Sequence, residues 1–348
     1  MEYACTLMKL SKTPKLTAAC IEGVFKKRHG VSVTVCNTTI EKPGFKVVSD
    51  QGVFFLLERP LSYYNKNWGR VTSIQQRMLK FSIPVPLYIG EGEISRTFNQ
   101  AEISEDPHAA VEMWIRDIFE PDLVAAYFSH YFAKSEVFTE YRLIILEAIE
   151  SFYMGLDHVA VVALVPVLEG ALRKLQNKSL CEEKNTTRAE EFGKNLREIL
   201  KSWGARRVSE YDWHLGVCGV PDLECDFYTH ICPQSDVINC FRLFFTEILY
   251  KPSLSPGAGL NRHVIVHMLG GGFDSATDFY KLFLALTHIA FIESLTNRNV
   301  PFFWQGYSDS SRRLGEYLRR ISIIMDKRRD LIKAFEVPEY PKGAYPSV

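Results

Sequence analysis

Leu260-Asn-Arg-His-Val-Ile-Val-His267 lies between a proline- and glycine-rich stretch, Pro252-Ser-Leu-Ser-Pro-Gly-Ala-Gly259, and three glycines, Gly270 to Gly272. Turn-forming residues on both sides bracket one short helix. Asn261 is its natural N-cap, because a side-chain oxygen there can accept N–H groups left unpaired at a helix start. Arg262 is then the first helical residue, and His263 and His267, one turn apart, share a face. A cation and two imidazoles gather where a helix N-terminus favours anions. At about 100° per residue, Arg262 and His267 lie about 140° apart around a regular helix. One straight helix does not close both on a single phosphate. Either the helix start is irregular, or two copies of the chain face each other and each supplies part of a site; we favour the second.

Long helical runs flank this segment. Asp106 before Pro107 marks a helix start, and Pro121 restarts a helix through Tyr131. Ser135 to Met154 carries apolar residues on most sides, including Leu143, Ile144, Ile149 and Phe152, the pattern of a central helix. Asp157 is expected to cap the next helix, which runs to Gln176 with a kink at Pro166. Ala189 to Trp203 reads as helical, Gly204 to Pro233 as irregular, and Ser235 or Asp236 can cap a helix through Tyr250. Downstream, Ser275-x-x-Asp278 has the spacing of a capping box and opens a helix to about Leu295. The tail, Ser308 to Phe335, is helical and basic. Its Arg312, Arg313, Arg319 and Arg320 are candidate nucleic-acid contacts, set against a solvated face on a helix that simply packs on its own domain.

Residues 1–104 read differently. Thr17 to Arg28 suggests a helix, Val31-Ser-Val-Thr-Val-Cys36 a strand and Gly52-Val-Phe-Phe-Leu-Leu-Glu58 a buried strand. Glu41-Lys-Pro-Gly44 signals a turn before Phe45-Lys-Val-Val48. The expectation is a mainly α protein: a small α+β module over 1–104, a helical region over 105–300, and a basic helical extension over 301–348.

Composition narrows the class. Of 348 residues, 47% are hydrophobic and 24% charged, so the chain can bury a sizeable core. Net charge is zero, which counts against a protein that coats long nucleic acid but not against an enzyme touching a few phosphates. The eight cysteines form no Cys-x-x-Cys pair, and no signal-peptide pattern opens the chain. The longest apolar run, Val159 to Leu168, is too short to span a bilayer. A cytoplasmic protein without a membrane segment is expected.

The helical region resembles the HEPN ribonucleases of the prokaryotic defence and toxin type. Those domains are helical bundles with an Arg-x4-His motif and a polar residue after the arginine. Arg262, His263 and His267 match that pattern residue by residue. Leu260-Asn261, the helix from Thr277 to Leu295, and Ala163-Leu-Val-Pro-Val-Leu-Glu-Gly-Ala-Leu-Arg173 with its embedded Glu169 add to the likeness, which covers about residues 135–300. The resemblance implies metal-independent RNA cleavage in a homodimer with a composite active site, subject to an antitoxin or other regulatory partner. A ribose 2′-hydroxyl attacks the adjacent phosphate, leaving a 2′,3′-cyclic phosphate and a 5′-hydroxyl. Imidazole, with an ordinary pKa of about 6.5, suits proton transfer at His267. Guanidinium, gripping two oxygens at once, suits the phosphorane at Arg262. His263 would help to position the substrate. Some HEPN toxins are silenced at a tyrosine two places after the motif histidine; here that place is Leu269.

Other readings stay open. The alternative is a non-catalytic module of the same fold binding nucleotide, RNA or a partner protein. Arg262 can pair structurally with a carboxylate, and His267 can be a core histidine. Glu169 can orient Arg262 across the bundle or pair with Arg173 four residues on, the second being somewhat favoured. His263 and His267 are spaced to hold zinc, but a zincin helix needs Glu at 264, where Val264 stands. His214, Cys218, Cys225, His230, Cys232 and Cys240 form a looser set whose spacing fits no common zinc finger. Gly270-Gly-Gly-Phe-Asp-Ser275 lacks the Gly-Lys-Ser/Thr ending of a phosphate loop. No metal or cofactor is expected.

Overall fold

The structure, a computed structural model, describes residues 2–40, 42–58, 70–181, 188–211, 223–225, 233–251, 260–267 and 276–334. The described residues are mainly helical, with a small three-stranded antiparallel sheet near the N-terminus. The chain forms two compact units, Met1–Ser73 with Lys194–Cys240, and Ile74–Gly193 with Phe241–Val348. The first unit therefore draws on a later stretch of chain, whereas the sequence suggested a contiguous module over 1–104.

In the first unit, α1 (Ala4–Ser11) and α2 (Ala18–His29) cover a sheet of β1 (Thr34–Ile40), β2 (Lys42–Ser49) and β3 (Gly52–Leu57). Thr17 caps α2 by accepting the Cys20 N–H at 3.2 Å, and Gly30, at a left-handed φ of 68°, ends it. Leu7, Ile21, Phe25, Val47 and Leu56 form the apolar centre. The first strand lies three residues later than Val31 to Cys36, because pairing from Thr34↔Val48 to Ile40↔Lys42 sets its register. Pro43 and Gly44, expected in a turn, lie inside β2. Glycine is needed there: a Cβ on Gly44 would meet the Leu56 carbonyl oxygen at 2.4 Å and the Phe55 ring at 2.7 Å.

Three helices run across the division of units: α3 (Arg70–Met78), α9 (Ala189–Val208) and α10 (Val237–Phe244). The second unit adds α4 (Glu91–Glu102), α5 (Pro107–Ile118), α6 (Pro121–Tyr127), α7 (Arg142–Tyr153) and α8 (Asp157–Leu180). It closes with α11 (Arg262–Val266), α12 (Ala276–Ser294) and α13 (Asp309–Ala334). As expected, Asp106 caps α5, accepting the Ala109 N–H at 3.0 Å, with Pro107 first in the helix.

The central helix is α12, not the run from Ser135 to Met154. Every residue from Thr277 to Glu293 is buried, whereas α7 begins only at Arg142 and leaves Leu143 65% exposed. The cause is tertiary: the buried Glu293 carboxylate accepts the Glu136 N–H at 3.0 Å and the Ser135 hydroxyl, holding that segment out of a helix. Leu156, not Asp157, occupies the N-cap of α8; Asp157 is its first helical residue, where a carboxylate suits the helix dipole. The helix then runs through Pro166 to Leu180 and packs on α7, α11 and α12. On α13, Gly315 closes against Asp122 of α6. No helix among the described residues is long and apolar enough to cross a membrane.

Candidate active site

Leu260 and Ile265, both 1% exposed, anchor α11 to the second unit and leave His263 and His267 exposed. Asn261 caps it as its position suggested: Oδ1 accepts the His263 N–H at 2.9 Å and the Val264 N–H at 3.4 Å. Its Nδ2 donates to the Lys251 carbonyl at 2.7 Å, tying together the two ends of the intervening stretch. This corrects one expectation. Two first-turn N–H groups are already taken, and a helix of five residues sums only a small dipole, so the helix end itself is a poor anion site.

Arg262 reaches across to α8. Its Nε donates to Glu169 Oε1, and Nη2 donates to Oε2 at 3.3 Å. Of the two pairings open to Glu169 in the sequence, the carboxylate makes the one across the bundle. The side chains are 28% exposed for Arg262 and 13% for Glu169, a pair recessed but reachable by solvent. The hydrogen bonds that Arg262 donates to Glu169 raise its pKa further, so the guanidinium stays charged.

Tyr250 completes the arrangement and was not singled out in the sequence. Its hydroxyl donates to Glu169 Oε1 at 2.5 Å, and its ring centre lies 5.8 Å from the Arg262 guanidinium carbon. Burial, with the Glu169 hydrogen bond next, pushes the phenol well above its ordinary range. No spacing rule marks Tyr250. A π-helical turn, Phe245–Leu249, follows α10, and its extra residue rotates the chain that comes after it. A regular helical projection misplaces Tyr250 by about 100°.

His263 and His267 are exposed, with ring centres 4.5 Å apart and planes at 59°. They share a face, as their spacing requires. Among the described residues no hydrogen bond joins either to Arg262. One chain thus directs the guanidinium toward α8 and both imidazoles toward solvent.

The remaining candidates divide. Arg312 and Arg313 are exposed on α13, while Arg319 pairs with Asp122 and Arg320 with Glu316. Among the described residues no group of three or more His, Cys, Asp and Glu side chains could hold a metal ion. Cys225 and Cys240 are buried, and His214, Cys218, His230 and Cys232 lie outside the described residues, as do Leu269, Gly270 to Gly272 and Ser275. Compared with known proteins, the chain matches no family model, no curated protein and no solved structure.

Proposed function

We propose that the chain is a metal-independent endoribonuclease of HEPN type, acting in bacterial defence or as a regulated toxin. The observation carrying this reading is the pair of solvent-facing imidazoles, 4.5 Å apart, on the same short helical segment as a recessed, charged guanidinium that is held toward α8. In the reaction one imidazole accepts the proton of the ribose 2′-hydroxyl as its oxygen bonds to phosphorus. The P–O5′ bond breaks, and the leaving oxygen takes a proton from a second imidazole. The Arg262 guanidinium offsets charge on the equatorial oxygens of the phosphorane. The divergent directions of Arg262 and the histidines within one chain support a site shared between two copies. Arg312 and Arg313 would steer the RNA; Arg319 and Arg320 would exchange weak exposed ion pairs for phosphates.

A second reading rests on the same ion pair. Glu169 already neutralises Arg262, as a structural arginine in a non-catalytic module binding RNA, nucleotide or a partner would require. One experiment separates the two. Purified protein is incubated with total RNA in EDTA, and the fragment ends are analysed. Cyclic phosphates that disappear with Arg262→Ala and with His267→Ala, both variants still folded, are the expected result. Undiminished cleavage by both variants overturns the site, and intact RNA with tight binding favours the module.

A further inference from the structure

We infer that Tyr250 is the positioning residue that aims the free edge of the Arg262 guanidinium at an RNA phosphate; this rests on the ribonuclease reading. The argument begins with the five N–H bonds of arginine. The side-on edge, Nε and Nη2, is spent on the two oxygens of Glu169. That leaves three N–H bonds, two on Nη1 and one on Nη2, without a partner among the described residues. One from each nitrogen forms the end-on fork, whose geometry matches two oxygens of one phosphate.

A fork is selective only if it is held still. Glu169 alone holds it poorly, because a carboxylate on three rotatable bonds can swing with its guanidinium. Tyr250 restrains both members. Its hydroxyl donates to Oε1, the same oxygen that accepts Nε, so the carboxylate cannot rotate without losing two bonds. Its ring lies beside the guanidinium at 5.8 Å and limits tilt out of the plane. The three groups come from three separate segments of the second unit: α8, the end of the π-helical turn, and the start of α11. The phenol stays protonated and donating throughout the pH range of RNA cleavage, so Tyr250 acts as a fixed clamp and transfers no proton.

Tyr250→Phe tests this, since it keeps the ring and removes only the hydroxyl. The first readout is spectroscopic: exchange with solvent of the Arg262 Nε–H proton, its NMR signal assigned by disappearance in Arg262→Lys. Faster exchange by about fivefold or more in Tyr250→Phe is expected, in a variant that keeps its fold and a single cooperative thermal transition. Exchange at the wild-type rate overturns the inference whether or not the protein cleaves RNA. The second readout is kinetic. Tyr250→Phe should lower kcat by about three- to thirtyfold with little change in KM and no shift of the pH profile. In an Arg262→Ala background the same substitution should have no further effect on rate. Equal fold losses in both backgrounds would mean that Tyr250 acts elsewhere and overturn the inference. A wild-type protein that cleaves nothing, yet shows accelerated exchange in Tyr250→Phe, would keep the clamp and remove both the nuclease reading and this role for Tyr250 within it.

Discussion

Glu169 and Arg262, 93 positions apart in the chain, meet as a two-point ion pair joining α8 to the start of α11. With the side chains 13% and 28% exposed, removing either partner leaves a partly desolvated charge alone, and Glu169→Ala also strands the Tyr250 hydroxyl. Glu169→Ala should lose about 1–3 kcal/mol of stability. The double-mutant cycle with Arg262→Ala should give a coupling of about 1 kcal/mol or more by urea denaturation. Strictly additive losses would show that the pair contributes nothing.

Gly315 on α13 lies against α6, where a Cβ would sit 2.0 Å from Asp122 Oδ1 and 3.0 Å from Asp122 Cα. In an exposed helix interior, glycine to alanine stabilises by about 1 kcal/mol. Here the two helices must separate, at a cost of about 1–3 kcal/mol or more. Gly315→Ala should therefore lower the thermal midpoint; a rise would mean that the contact relaxes freely.

In the first unit, the Asp236 carboxylate accepts the Thr72 hydroxyl at 2.5 Å and the Thr72 N–H at 2.8 Å, and Asn239 Nδ2 donates to the same hydroxyl oxygen at 3.1 Å. Burial outweighs these bonds and pushes the Asp236 carboxyl up to about 6 from an ordinary 3.8. Between those values the folded state keeps a proton that the unfolded chain has released. The associated stability is present below about pH 4 and is lost as pH rises to about 6, by about 3 kcal/mol. Asp236→Asn should lack this slope. Urea midpoints at pH 4, 5, 6 and 7 decide it, and parallel curves for the two proteins would refute the assignment.

His288, fully buried on α12, predicts the opposite sign in an overlapping window. Its Nδ1–H donates to the Leu284 carbonyl at 2.8 Å, its ring stacks on Phe241, and Nε2 has no hydrogen-bond partner among the described residues. Burial pushes the imidazole down to about 4. The folded state stays neutral where the unfolded chain takes up a proton, so stability is held above about pH 6.5 and lost as pH falls toward 4. His288→Phe keeps a ring in place and should be the more stable protein at pH 5 by about 2 kcal/mol relative to the difference at pH 7. An unchanged difference between the two pH values would exclude His288 as the acid-sensitive group.

Much of this architecture is legible from local chemistry. Asp106-Pro107, Thr17 and Asn261 each start a helix where their side chains say they should, because capping acts within three residues. The same short range explains the pairing of His263 with His267 on one face. Burial is not legible in that way. Ser135 to Met154 looks as apolar as Thr277 to Leu295, but only the second is surrounded, and Leu143 and Ile144 face solvent. Glu169 shows the same limit: its local partner Arg173 is visible in the sequence, whereas Arg262 becomes a neighbour only when α8 and α11 pack.

The sequence by itself determined a mainly helical chain, the short capped helix at Arg262, and the presence there of a guanidinium and two imidazoles. These follow from interactions that span a turn or less. Tertiary structure decided that Glu169 and Tyr250 hold that guanidinium, that the imidazoles face solvent, and that residues 194–240 join the N-terminal unit. Each of these depends on segments far apart in the chain being brought together by burial of apolar surface, a driving force without direction that local pattern does not encode.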